Sequence, residues 1–172
     1  SRCRPEDVAR FDLSSMRMFV DCAEPVLAGT LDLFAGRFSC CGLEESALAS
    51  CYAMAENVFA VTQSAGALRR VRVRAESLVP SRRIEPCAPD DPLGRSVVSS
   101  GVPVAGARVR VVDEHRAGAP DGQVGEIAVR SPSLFRGYHL LPEETARARD
   151  ADWYYTGDVG FTHEGEWFVL GR

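Results

Sequence analysis

The chain has 172 residues, 45% of them hydrophobic and 26% charged, with a formal net charge of −4. That is length for one domain with a real core and an ordinary globular composition. The acidic balance argues against a general nucleic-acid binder, and no apolar run approaches the length of a membrane span. Ser1-Arg2-Cys3-Arg4-Pro5 carries no signal-peptide pattern and reads as beginning in mid-stream. Cys3, Cys22, Cys40, Cys41, Cys51 and Cys87 show neither Cys-x-x-Cys spacing nor a matching histidine cluster, so no zinc site is expected. Four of them lie in or beside apolar segments and read as small buried residues in a reduced, cytoplasmic setting. All 20 basic residues are Arg; there is no Lys.

In chain order, Asp12 to Ser15 leads into a short apolar strand, Met16 to Val20, and Asp21 to Pro25 makes a turn. Leu27, Leu31, Phe34 and Phe38 recur at helical spacing, which predicts an amphipathic helix from Val26 to about Phe38 with Pro25 at its first turn. Strand, turn and helix make half of a βαβ unit, and its turn lies at the strand end where open α/β sheets bind ligands. Ala47 to Tyr52 is expected to be a buried strand, and Val58 to Thr62 a further β-like run. Between them, Tyr52 reads as a core aromatic and Glu56 as a solvated turn acid.

From Ala67 to Arg74 apolar and basic residues alternate, a strand with Val71 and Val73 inward and Arg70, Arg72 and Arg74 outward. The Arg cluster that continues to Arg82 and Arg83 reads most simply as a solvated face, with a phosphate- or acidic-partner-binding face as the alternative. A Pro-bearing stretch, Ser77 to Pro92, follows. The second half changes character: short runs at 96–100, 107–113, 124–130 and 158–162 are separated by Gly and Pro turns, a pattern of a small barrel or strongly bent sheet. A short helix is expected from Pro142 to Arg149, with Pro and acids in its first turn. The chain ends in a hairpin, Trp153 to Arg172, whose polar turn is His163-Glu164-Gly165-Glu166. An Asp on the Gly157-flanked turn and an Arg at the end of the paired strand can return to one spot, which is how a ribose diol is often held; an ordinary hairpin with an Asp-capped turn explains the same spacing.

Five motifs in order carry a resemblance. They are Met18 to Pro25 with Ala23-Glu24-Pro25; Tyr52 to Glu56; Gly101 to Gly106; Asp121 to Arg130 with Gly137-Tyr138; and Tyr155-Thr156-Gly157-Asp158 followed by Gly171-Arg172. Together they span almost the whole chain and resemble the acyl-adenylate-forming, or AMP-binding, enzymes. Within that group the chain is most similar to the fatty acyl-AMP ligases, on two features. Ala55 stands where most relatives carry Thr, and the segment from Gly66 to about Pro89 resembles the insertion that separates those ligases from acyl-CoA synthetases.

The resemblance implies an α/β fold: a βαβ-type subdomain (1–65), an insertion-like segment (66–94), and a small, distorted antiparallel β-barrel subdomain (95–172) ending at a hinge to a further domain. It implies ATP and Mg²⁺ as cofactors. Ala23, Glu24 and Tyr52 would meet adenine, and Asp158 and Arg172 the ribose, with Val169 in the same nucleotide site. Glu56 would hold the metal, and Met54 and Ala55 would face the junction of acyl tunnel and phosphate. No catalytic residue is expected within the chain, because the family's lysine on the reacting carboxylate and phosphate belongs to another domain and this chain has no Lys. A Ser/Thr/Gly-rich phosphate loop is likewise absent from these residues.

The implied activity is ATP-dependent activation of a fatty or other carboxylic acid to an acyl-adenylate, passed to an acyl carrier protein. An acyl-CoA synthetase and a non-catalytic binding module of the same fold are the alternatives. Three departures bear on nucleotide affinity: Cys22 and Ala53 stand where the family has Gly, and Ala55 offers no hydroxyl.

Overall fold

The computed structural model describes residues 4–8 and 10–172; Cys3 lies outside them. A short helix α1 (Pro5–Val8) precedes strand β1 (Phe19–Asp21), helix α2 (Ala28–Phe38), β2 (Leu48–Ala53) and β3 (Ala60–Gln63). β4 (Arg70–Arg74), β5 (Gly94–Val98), β6 (Val102–Pro103), β7 (Arg108–Val112) and β8 (Gly125–Arg130) follow. Then come α3 (Pro142–Ala148), β9 (Arg149–Asp150), β10 (Trp153–His163) and β11 (Glu166–Gly171). The fold is α/β: a four-stranded sheet, β1-β2-β3-β6, is followed by a five-stranded sheet, β11-β10-β8-β7 with β9 on β10, and a two-stranded ribbon, β4-β5.

β1 and β2 pair in parallel, Phe19 opposite Leu48 and Asp21 opposite Ser50, with α2 crossing between them. The sequence showed half of this unit; β2 supplies the rest. α2 is held by its apolar stripe. Leu31 is buried, and Phe34 meets Phe19 and Phe38 at ring-centroid distances of 5.5 and 4.9 Å. Arg37 in its last turn suits the negative end of the helix dipole. The helix starts two residues later than its periodicity predicts. Leu27 is extended (φ −97°, ψ 123°) and 54% exposed, so it stands before the helix and not on its buried face. Pro25 therefore lies ahead of the first turn, in the stretch that leads from the turn at Ala23 past the pocket described below.

The segment after β3 is built into the second half of the fold. β4 pairs antiparallel with β5, Arg70 opposite Val98 and Arg74 opposite Gly94, so the ribbon runs across the seam expected near Arg95. Residues 81–84 add themselves to the barrel's 122–124 stretch. Ser81 N and Ile84 N donate to the carbonyls of Val124 and Gly122, and Val124 N donates back to Arg82 O, each at 2.8 Å. Val71, Val73 and Ile84 then share one core with Val97, Val124, Phe161 and Phe168. The last two rings stack with centroids 4.9 Å apart and planes 3° from parallel. This shared core closes ribbon and five-stranded sheet into the small, distorted antiparallel barrel.

The alternation in β4 is as expected, with Val71 and Val73 buried and Arg70 exposed. The basic face, however, is tied down within the molecule. Arg72 donates to the carbonyls of Ala88 and Asp91, Arg74 pairs with Asp91 at 3.3 Å, Arg70 with Asp32 at 2.7 Å, and Arg69 with Glu166 at 3.1 Å. Val73 has no exposed surface, so Val73→Ala is expected to cost about 2 kcal/mol in a urea melt, by lost burial and the cavity it leaves. A cost under about 0.5 kcal/mol would mean that the ribbon is not part of the barrel's core.

Two local surprises flank the site. Val58 takes a left-handed conformation (φ 66°) and is 79% exposed, so β3 begins at Ala60 and not at Val58. A 3₁₀ turn, Ala55–Asn57, reverses the chain there, closed by Asn57 Nδ2 donating to Ala60 O and Met54 N to Phe59 O. At the end of β10, Glu164 and Gly165 both have positive φ (51° and 81°), the geometry of a type I′ hairpin. No helix of the described residues is long and apolar enough to cross a membrane.

Candidate functional site

The last hairpin builds the centre of the site. β10 follows β8 from Tyr154 opposite Val129 to Tyr155 opposite Ala128, then slips register before Val159 meets Glu126. The irregularity falls on Thr156-Gly157-Asp158. Gly157 takes φ +72°, its N–H donating to Glu126 Oε1, and Thr156 Oγ1 donates to Ile127 O while accepting from Asp158 N. Such a bulge re-aims the side chain that follows it, and here it turns Asp158 out of the ladder. β11 returns so that Gly171 lies opposite Val159, which brings Arg172 to the same carboxylate.

Asp158 is held from both sides. Arg172 Nε donates to Oδ1 at 2.9 Å and the Tyr52 hydroxyl donates to Oδ2 at 2.5 Å. The Asp158 side chain is 16% exposed and that of Arg172 73%, so this is a rim contact whose guanidinium stays in solvent. Burial and the bond to Asp158 push the Tyr52 phenol well above its ordinary range, so it remains a donor at any physiological pH. Each carboxylate oxygen accepts more than one hydrogen bond, which leaves Asp158 able to take neighbouring hydroxyls as well.

These groups open on a cavity of about 400 Å³. Its walls include Ala23 and Glu24 on one side, Tyr52, Met54 and Glu56 on another, and Asp158, Val169 and Arg172 on the third. Eight of the nine residues expected at the site thus surround one space; the structure leaves out Ala55, which is exposed at the start of the 3₁₀ turn. Sequence reading missed Cys51, Val98 and Ser100, which also line it. Cys51 and Val98 are placed by strand pairing with Gln63 and Arg70, and Ser100 by its N–H donating to Trp167 O, contacts that a local pattern does not reveal.

The departures at Cys22 and Ala53 carry no backbone strain, since neither has positive φ; the strain sits on Ala23, at φ 74°. A left-handed alanine costs on the order of 1 kcal/mol, and it turns the chain so that Glu24 and Pro25 border the cavity. Burial raises the Cys51 thiol, helped by the nearby Cys22, so it stays protonated and a poor nucleophile.

Among the described residues no group of three or more His, Cys, Asp or Glu gathers to cage a metal. A Mg²⁺ held by one carboxylate, waters and substrate phosphates needs no such cage, and Glu56, on the cavity wall, fits that donor set. A second cavity of about 360 Å³ is bordered by Arg108, Arg130, Arg149 and Asp152. Much of its charge is already engaged: Arg130 pairs with Asp152 at 2.7 Å, and Arg149 Nη1 donates to the carbonyls of Phe135 and Arg136.

The parallel unit of β1, α2 and β2 and the last hairpin thus border one pocket. The sequence matches the family of AMP-binding enzymes over residues 2–139, and the chain belongs to that family. The match includes Tyr52 and Glu56 and stops before Asp158. Among curated relatives, the medium-chain-fatty-acid–[acyl-carrier-protein] ligase JamA of Moorena producens is 36% identical over 99% of this chain and 31% of its own length. The long-chain-fatty-acid–AMP ligase FadD26 of Mycobacterium tuberculosis is 31% identical over 99% of this chain and 32% of its own. Among solved structures, a fatty acid AMP ligase from Legionella pneumophila superposes with a TM-score of 0.91 at 33% identity, covering 99% of this chain and 31% of that one. A fatty acyl-adenylate ligase from the same organism, in complex with acyl adenylate and pyrophosphate, gives 0.90 at 33% identity, with the same coverage. The chain therefore spans about a third of the length of the relatives it matches.

Proposed function

We propose that this chain is the part of a fatty acyl-AMP ligase that grips the nucleoside end of ATP and the metal on its phosphates. In the longer enzyme it would activate a fatty acid and pass the acyl group to a carrier-protein thiol. The observation that carries this is the Asp158 carboxylate, presented between Tyr52 and Arg172 at the rim of a pocket with Glu56 in its wall. The similarity to acyl-AMP ligases along 99% of the chain supports it.

In the reaction, a carboxylate oxygen of the fatty acid attacks the α-phosphorus of ATP and the bond to pyrophosphate breaks, leaving a mixed anhydride with AMP. A thiol then takes the acyl carbon and AMP departs. Asp158 and Arg172 hold the ribose, Tyr52 and the Ala23-Glu24 turn hold adenine, and Val169 packs beneath the nucleoside. Met54 borders the acyl entrance. When bound at Glu56, Mg²⁺ supplies positive charge against the phosphate oxygens. Water exclusion at the anhydride and the positive side chain that neutralises the reacting groups come from other parts of the longer enzyme, because no Lys and no phosphate loop lie within these residues.

The segment from Gly66 to about Pro89, which includes β4, is proposed to restrain the further domain, which disfavours CoA. Removing the whole segment is a poor test, because Val71, Val73 and Ile84 are core residues. Product analysis is a better one. The complete ligase, given fatty acid, ATP and Mg²⁺ with CoA and a phosphopantetheinylated carrier protein, is expected to yield acyl-adenylate and acyl-carrier protein with little acyl-CoA. The 172-residue chain alone is expected to catalyse no pyrophosphate exchange above blank. Acyl-CoA as the main product would make the enzyme an acyl-CoA synthetase, and absence of ATP binding by the complete protein would make it a non-catalytic module.

A further inference from the structure

The Glu56 side chain has a support that stands outside the pocket. The Tyr138 hydroxyl donates to Glu56 Oε1 at 3.1 Å, and the Tyr154 hydroxyl lies 3.0 Å from that of Tyr138. A carboxylate has no proton to give and a phenol has one. Tyr138 spends its proton on Glu56, so Tyr154 must be the donor in the second contact. The order is Tyr154 to Tyr138 to Glu56. Burial raises the Tyr154 phenol, and its bond with Tyr138 and the nearby Glu56 charge add to this.

Phe135 ties the same pieces from a third direction. Its N–H donates to Glu56 O at 2.7 Å, and its ring lies edge-on to Tyr138 and Tyr154 at 4.8 and 5.3 Å. Tyr154 is 2% exposed, and neither tyrosine borders the cavity. A hydroxyl pair that touches the pocket's carboxylate without lining the pocket acts on it through that carboxylate.

We infer that Tyr138 and Tyr154 are positioning residues that orient Glu56 toward a divalent cation on the nucleotide phosphates. The inference rests on the reading of Glu56 as the metal-holding residue. The strand–turn that carries Glu56 includes the strained, exposed Val58, so its carboxylate depends on outside contacts for a fixed direction. Outer partners of metal ligands typically change metal affinity about 10- to 100-fold.

The test measures Mn²⁺ binding by electron paramagnetic resonance, in the complete ligase with a non-hydrolysable ATP analogue. The proteins compared are wild type, Tyr138→Phe, Tyr154→Phe, Glu56→Gln and the Tyr138→Phe/Glu56→Gln double variant, with metal-free analogue affinity measured alongside. Tyr138→Phe is expected to weaken Mn²⁺ about tenfold and Tyr154→Phe to weaken it less, both keeping metal-free affinity. The double variant is expected to bind Mn²⁺ no worse than Glu56→Gln alone. Loss of Mn²⁺ in Glu56→Gln with none in either tyrosine variant would overturn the positioning role and leave Glu56 as metal holder. Unchanged Mn²⁺ binding in Glu56→Gln would overturn the metal reading and this inference with it. Should Tyr138→Phe lose metal-free affinity, Tyr154→Phe, which removes one oxygen from a buried ring, decides the matter by the same criterion.

Discussion

Asp158→Ala in the longer protein is expected to weaken binding of an acyl-adenylate analogue roughly 100-fold, about 3 kcal/mol, the size of loss that charge-assisted hydrogen bonds to the proposed ribose diol would give. The loss has two sources. On the proposed assignment the ribose hydroxyls lose their acceptor, and Arg172, 73% exposed on its side chain, loses its ion-pair partner. Stability is expected to fall as well, by about 1–3 kcal/mol, because the Tyr52 hydroxyl, on a residue 8% exposed, is left with no acceptor. Tyr52→Phe separates these effects. It keeps the aromatic ring in the pocket wall and frees an Asp158 oxygen, so its affinity is expected to stay within about fivefold of wild type. Isothermal titration of both variants checks this; equal losses would mean that the phenol hydroxyl, not the carboxylate, grips the nucleoside.

Gly101→Ala is expected to unfold the chain under conditions where the parent sequence melts cooperatively, a loss of more than about 4 kcal/mol. Gly101 has φ +81°, and a Cβ there would stand 2.0 Å from Gln63 C and 2.1 Å from Gln63 O and Ser64 N. Those atoms are backbone and cannot yield. The position is also tied by Trp167 N donating to Gly101 O, with Gly101 N donating to Ser99 Oγ, so it welds β11 to the start of β6. Gly29→Ala is the contrasting control. Nothing lies within 4 Å of its added Cβ in α2, and it is expected to gain about 0.5–1 kcal/mol. Urea titrations of the two variants give the comparison, and a Gly101→Ala protein as stable as wild type would contradict the packing described here.

What the sequence reveals is local. The 3.6-residue stripe of α2, the alternation in β4 and the Gly-marked turn of the last hairpin each predict an element whose partner lies within reach. The return of Arg172 to Asp158 is of this kind, because a tight hairpin fixes the register between them. The phenol on the other side of the carboxylate is not, since Tyr52 and Asp158 lie 106 positions apart. Tyr138 and Glu56 lie 82 apart, so Gly137-Tyr138 is recognisable as a motif while what its hydroxyl does is not. The Arg-rich segment misleads for a similar reason. Its outward arginines look solvated in isolation, but Asp32, Asp91 and Glu166 come to them from other elements. Where expectation and structure part, at Leu27, Pro25 and Val58, the chain is bending around the pocket, and the demands of the turn override periodicity and β propensity.

The central claim is that Asp158 receives the ribose diol of an adenylate. Pairing the protein change with a ligand change tests it most directly. The longer protein and its Asp158→Ala variant would each be titrated with an acyl-sulfamoyl adenosine and with the same compound lacking both ribose hydroxyls. Removing the hydroxyls is expected to weaken binding to the parent protein by about 10- to 100-fold and to leave binding to Asp158→Ala nearly unchanged, so that the two losses do not add. Equal penalties for the missing hydroxyls in both proteins would show that the diol is held elsewhere, and would contradict the assignment.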